Sequence, residues 1–268
     1  MGTDETNQEE ALAVELIEGG SEIAGAAVGA TIGLIGGPAG AVGGAAGGAL
    51  LARVLRRVGA DLKQRVLGPR EELRIGAAAA HAGAMIQTLL KAGRQPRDDG
   101  FFDAPPGERS AAEELLEGVL LQARDAYEEK KVRLLGIMYA QLAFHPEISA
   151  PTANHLLSLA ERLTYRQLVV MAIAQDEGNR ELLRDGDYRG DAAALNALGA
   201  EGAALLIEIY DIYQSGLLSD AHGSAWISVA DVNPRSMRLQ GSANTLAVLM
   251  GLATIPEEDR EPIYAVLS

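Results

Sequence analysis

The side chains able to do acid–base, metal or nucleophilic chemistry are scattered along this chain. Four histidines, His81, His145, His155 and His222, stand far apart, and none has a carboxylate or second histidine at metal-ligand spacing. Glu113, Glu114 and Glu117 share one stretch but lack the E-x-x-H partner of a di-iron helix bundle. There is no cysteine, which excludes thiolate catalysis, disulfides and Cys-based zinc or iron–sulfur sites. No G-x-S-x-G elbow, P-loop or HExxH occurs. The sequence therefore predicts no catalytic residue, no metal site and no cofactor.

The chemistry on offer is that of contact. Residues 23–52 carry no charge, and glycine recurs through them at a step of four. Gly25, Gly29, Gly33 and Gly37 form one series, and Gly36, Gly40, Gly44 and Gly48 form a second. Positions four apart share a helix face. Each series is a groove of bare backbone that another helix can approach closely, the small-xxx-small pattern used most often inside membranes. The run contains G-x-G-like pieces but follows no strand, so it is no dinucleotide fingerprint.

Gly36-Gly37-Pro38 interrupts the run and predicts a helical hairpin with arms near 23–35 and 39–57. An arm of about 14 uncharged residues spans about 21 Å, short of the bilayer core of about 30 Å. The large apolar side chains are few and supply roughly 2–5 kcal/mol of insertion drive. Insertion as an assembly is therefore more credible than insertion of one copy. Arg53, Arg56, Arg57, Lys63 and Arg65 follow directly, interleaved with Val54, Leu55, Val58, Leu62 and Val66 at helical spacing. A basic flank beside an apolar run is drawn to anionic lipid on the cytoplasmic side. The alternative is a soluble hairpin in which this flank pairs with the acidic residues of Met1–Glu22.

The elements that must position these residues are helical. Acidic residues outnumber basic ones to give a net charge of -14, which repels phosphate backbones and argues against nucleic-acid binding. Abundant Ala and Gly with few aromatics favour close-packed helices. Met1–Glu22 has seven acids and no Lys or Arg, unlike a secretion signal. The expected location is the cytoplasm, with any membrane contact made at the inner face of the cell membrane.

Three regions are expected in this mainly α chain: 1–68, the acidic start, glycine-zipper hairpin and basic tail; 69–175, a helical body; and 176–268, a winged-helix-like unit with a small β-hairpin. Phe101 and Phe102 sit in a Pro- and Gly-marked loop at 93–109 and are expected to pin it to the core. Ser110…Glu113 and Thr164…Gln167 read as capping boxes. The first opens a helix expected to run to about Phe144, with Leu116, Leu120, Ala123, Tyr127 and Leu134 on its apolar stripe. Ala192–Ser215 reads as one helix stopped by Gly216. Ala225–Val229, alternating around Trp226, reads as a strand, with Met237–Leu239 as its return partner.

Two stretches carry a resemblance. EEKKVRLLGIMYAQLAFHPEISAPTANHLLSLAERLTYRQL, from Glu128 to Leu168, and Ser215–Met250, with GLLS, a hairpin and SMRLQGSANTLAVLM, resemble bacterial abortive-infection alpha proteins over about half the chain. The resemblance rests on helix-packing patterns, implies a bacterial and antiphage setting, and carries over no catalytic residue. Two readings follow: a non-enzymatic effector that self-associates through the zipper at or in the membrane and binds an unidentified protein partner, or a soluble helical scaffold that oligomerises through the same zipper.

Overall fold

The computed structural model describes residues 50, 51, 53–55, 57–59, 61 and 67–268. The two glycine series, the hairpin expected around Pro38, and Arg56, Lys63 and Arg65 lie outside the described residues. Two compact units are present, Met1–Arg162 and Leu163–Ser268. Among the described residues the structure is mainly helical, with one two-stranded sheet.

The described residues from 50 to 61 are helical. The rest of the first unit is α1 (Pro69–Lys91), α2 (Ala111–Asp125), α3 (Glu129–Leu142) and α4 (Ala150–Arg162). Gly68 and Glu71 close a capping arrangement ahead of α1, with the Gly68 amide donating to Glu71 Oε2 at 2.6 Å. Gly76 to Ala82 of α1 are buried without interruption, and all but His81 are glycine or alanine. Small side chains let α3 come close. A Cβ on Gly136 would stand 2.4 Å from the Ala78 carbonyl oxygen and 3.0 Å from His81 Cβ. The backbones of α1 and α3 therefore meet at Gly136, and α2 packs on both of these helices and on α4.

The second unit contains α5 (Tyr165–Gln175), the short α6 (Glu177–Glu181) and α7 (Ala192–Ala197), α8 (Gly199–Gln214), β1 (Leu218–Asp220), β2 (Met237–Leu239), α9 (Ser242–Leu249) and α10 (Glu257–Leu267). Leu168 to Ala174 of α5 are all buried. A helix apolar on every side belongs in an interior, and α5 packs against β2, α6, α8, α9 and α10. The strands are antiparallel, with Leu218 opposite Leu239 and Asp220 opposite Met237. Gly216, at φ +71, turns the chain out of α8, as expected.

The two units divide at Arg162–Leu163, with α5 the interior helix of the second. Three expectations need correction. The helix opened by Ser110 stops at Asp125 and resumes at Glu129. Arg74 Nη1 donates to the Arg124 carbonyl at 3.1 Å and so serves the end of α2. Tyr127, expected on the apolar stripe, is 96% exposed in the link. The helix expected over 192–215 is broken by Gly199, at φ +63, which separates α7 from α8.

The third correction concerns the sheet. Met237–Leu239 is a strand as expected, but its partner is Leu218–Asp220 and not 225–229. Bonds to two side chains, Tyr213 and Asp231, hold 225–231 out of the ladder. Trp226 packs on the Tyr213 ring at 4.7 Å and its amide donates to the Tyr213 hydroxyl at 3.1 Å. The Asp231 carboxylate accepts the Ile227 and Ser228 amides at 2.7 and 2.8 Å, which winds Val229–Asp231 into a 3-10 turn. Side-chain acceptors compete with ladder pairing in this way.

Candidate functional site

The sequence-predicted residues that the structure describes lie on the leading helical segment. Leu51, Val54, Leu55 and Val58 recur three and four apart and are all buried. Arg53 and Arg57 are exposed. The apolar stripe is thus turned into the first unit, and the two described arginines of the flank expected to face lipid stand at its rim.

Three polar ties fasten the segment. Arg53 Nη2 donates to the Phe102 carbonyl at 3.4 Å. Arg57 Nη1 donates to Glu113 Oε1 at 3.1 Å. Asp61 accepts from Arg109 Nη2 at 2.7 Å, and Arg109 also pairs with Glu117. The partners of Arg53 and Arg57 are therefore in the 93–109 loop and the first turn of α2.

Glu113 has two functions here. As expected it completes the capping box: its Oε2 accepts the Ser110 amide at 3.0 Å, and its own amide donates to Ser110 Oγ at 3.2 Å. Its other oxygen meets Arg57. The Glu113 side chain is only 4% exposed and that of Arg57 is 52% exposed, so a buried carboxylate looks out onto a surface guanidinium. Tyr139 of α3 is fully buried and its hydroxyl has no hydrogen-bond partner. Burial, with the Glu113 charge adding to it, pushes the phenol well above its ordinary range and keeps it protonated.

Phe101 and Phe102 are buried as expected, with rings edge to face at 5.1 Å. No motif marks the residue that locks their loop. Arg97 donates through Nη1 to the carbonyls of Ile148 at 2.9 Å and Leu142 at 3.3 Å, and its Nε donates to Asp99 at 2.8 Å. Its guanidinium lies over the Phe101 ring at 4.4 Å. This hydrogen-bonded partner holds the Asp99 carboxyl below the usual carboxylate range.

The histidines do not converge. His81 is buried between α1 and α3, and its Nδ1 has no partner. Burial, reinforced by the nearby Arg133 charge, lowers its pKa to about 4, so it is neutral at pH 7. His145 Nδ1 lies 2.5 Å from Glu147 on the surface, and His155 is exposed. His222 sits 3.7 Å from Asp220, near Ser224 and Ser236, but the geometry is not that of a triad. Asp220 accepts the His222 and Ser224 amides at 2.7 and 3.2 Å, and the Ser236 hydroxyl donates to Asp220 rather than to the imidazole. Burial opposes ionisation of Asp220, yet these donors hold its pKa below the ordinary value. The cluster closes the long β1–β2 connection.

Among the described residues no group of three His, Asp or Glu side chains is placed to hold a metal ion, and no helix is long and apolar enough to cross a membrane. Comparison with protein-family models, with curated proteins and with solved structures finds no match to the chain.

Proposed function

We propose that this chain is a non-enzymatic bacterial effector or interaction protein that self-associates through its glycine series at the inner face of the membrane. One observation carries the reading. The uncharged run leads directly into a segment whose apolar stripe is buried in the first unit while Arg53 and Arg57 remain exposed. A zipper rooted this way on a folded body brings bodies together when its glycine faces pack, and cations at its root favour an anionic surface. The antiphage setting rests on the resemblance to abortive-infection alpha proteins alone.

The second unit supports a protein-binding role. Helices, a two-stranded sheet with a long connection, and a further helix follow one another in the order of a winged-helix-like module. Fifteen carboxylates against seven arginines in 163–268 repel nucleic acid, so the connection between β1 and β2 is read as a protein-facing wing.

A lipid-free scaffold built on the same zipper is the second reading, favoured by the protein cover over Leu51, Val54, Leu55 and Val58. Light scattering of the full chain against Gly29→Leu and Gly44→Leu tests self-association, with a smaller species expected from either variant. An unchanged mass in both refutes the zipper. Fractionation of cells expressing the chain with and without 23–52 separates the two readings.

A further inference from the structure

We infer that the leading helical segment is a stowed lipid-binding element, docked on the first unit through Glu113 and released to an anionic membrane when that contact is lost. The inference rests on the membrane reading above and adds its regulation. An amphipathic helix with arginines beside its apolar face has the composition of an interfacial lipid binder. Here the face that would enter the headgroup layer, Leu51, Val54, Leu55 and Val58, is covered by protein. The same residues cannot serve both surfaces at once, so docking and lipid binding exclude each other.

The polar ties show where the balance is set. The Arg53 tie is a long hydrogen bond of 3.4 Å to a main-chain carbonyl, and the Asp61–Arg109 pair is partly exposed, where ion pairs contribute little and are screened by salt. The Arg57–Glu113 contact differs, because one partner is buried. Undocking would leave the Glu113 carboxylate beside the buried Tyr139 without its cation, and an unpaired buried charge is strongly unfavourable. Glu113 thus holds the segment down through charge, and Arg57 is both the tie to the body and a cation offered to lipid.

This separation allows a test in which the lipid-binding residues are untouched. Glu113→Gln keeps a capping side chain at its position and removes only the charge that retains Arg57. Full-length protein is titrated with vesicles of phosphatidylglycerol and phosphatidylcholine, and with phosphatidylcholine alone, with circular dichroism verifying the fold of each variant. The expected result is about tenfold tighter binding of Glu113→Gln to the anionic vesicles, equivalent to about 1.4 kcal/mol, with faster tryptic cleavage after Arg53 and Arg57. Arg109→Gln, which removes the Asp61 tie, should act in the same direction but less. If wild type binds anionic vesicles and Glu113→Gln, still folded, binds no better, stowing is refuted and the membrane reading survives. If neither binds, the membrane reading fails and this inference with it. Should Glu113→Gln not fold, the lipid-free wild type decides: tryptic cleavage after Arg53 and Arg57 as fast as in a peptide of residues 50–61 would refute stowing equally.

Discussion

Replacing Gly136 by alanine adds one methyl group where α1 and α3 touch backbone to backbone. The added carbon would lie 2.4 Å from the Ala78 carbonyl oxygen, 3.0 Å from His81 Cβ and 3.1 Å from the Ala82 nitrogen. None of these is the mobile end of a flexible side chain, so the helices must separate. Overpacking a closed interior costs about 1–3 kcal/mol, and the rigid backbone contact places this site at about 3. Alanine returns about 1 kcal/mol of helix propensity over glycine, leaving a net loss of about 2 kcal/mol. Two other helical glycines of the same unit serve as controls. A Cβ on Gly83 meets nothing within 4 Å, so Gly83→Ala should gain up to about 1 kcal/mol. A Cβ on Gly118 meets Leu157 Cδ2 at 3.0 Å, a side-chain end that can shift, so Gly118→Ala should fall within about 0.5 kcal/mol of wild type. Thermal unfolding followed by far-UV circular dichroism checks the series, at about 2–4 °C per kcal/mol for a chain of this size. Gly136→Ala should melt about 4–8 °C lower and Gly83→Ala about 2–4 °C higher. A Gly136→Ala protein as stable as wild type would refute the claim that these helices meet at their backbones.

Two further predictions concern buried polar groups. The unfolded His81 imidazole protonates near its ordinary 6.5 and the folded one only near 4, so between these values the unfolded state holds more protons. Stability is therefore intact above pH 6.5, falls by about 1.4 kcal/mol per pH unit below it, and is down by about 3 kcal/mol at the folded pKa; urea midpoints at about pH 7 and about pH 4.5 should differ by more in wild type than in His81→Leu, and an equal difference would refute the assignment. Arg97→Met should cost about 3–5 kcal/mol, because it strips donors from the Ile148 and Leu142 carbonyls and a partner from Asp99; Arg97→Lys keeps the charge but not the fork geometry and should recover only part. Urea titration of both variants is the check, and a loss under about 1 kcal/mol in Arg97→Met would show that the loop is held by Phe101 and Phe102 alone.

Local chemistry was legible from the residues themselves. Ser110 with Glu113, and Thr164 with Gln167, close their capping boxes because the bonds span only three residues. Gly216 ends α8 because a left-handed residue is what a helix needs to turn out of its axis. Phe101 and Phe102 are buried because a loop with two large aromatics has nowhere better to put them. Periodicity also marked the stripe through Val54, Leu55 and Val58, but a stripe says only that one face seeks cover and not whether lipid or protein supplies it. That choice was made by contacts 49 and 56 residues away, at Phe102 and Glu113. Tertiary structure likewise exposed Tyr127, broke the helix at Gly199, and gave Met237–Leu239 a different partner by tying Ile227 and Ser228 to Asp231. The physical reason is one of range. Caps, turns and helical spacing are satisfied within a few residues, whereas the cover for an apolar face and the counter-charge for a buried carboxylate come from wherever the folded chain brings them.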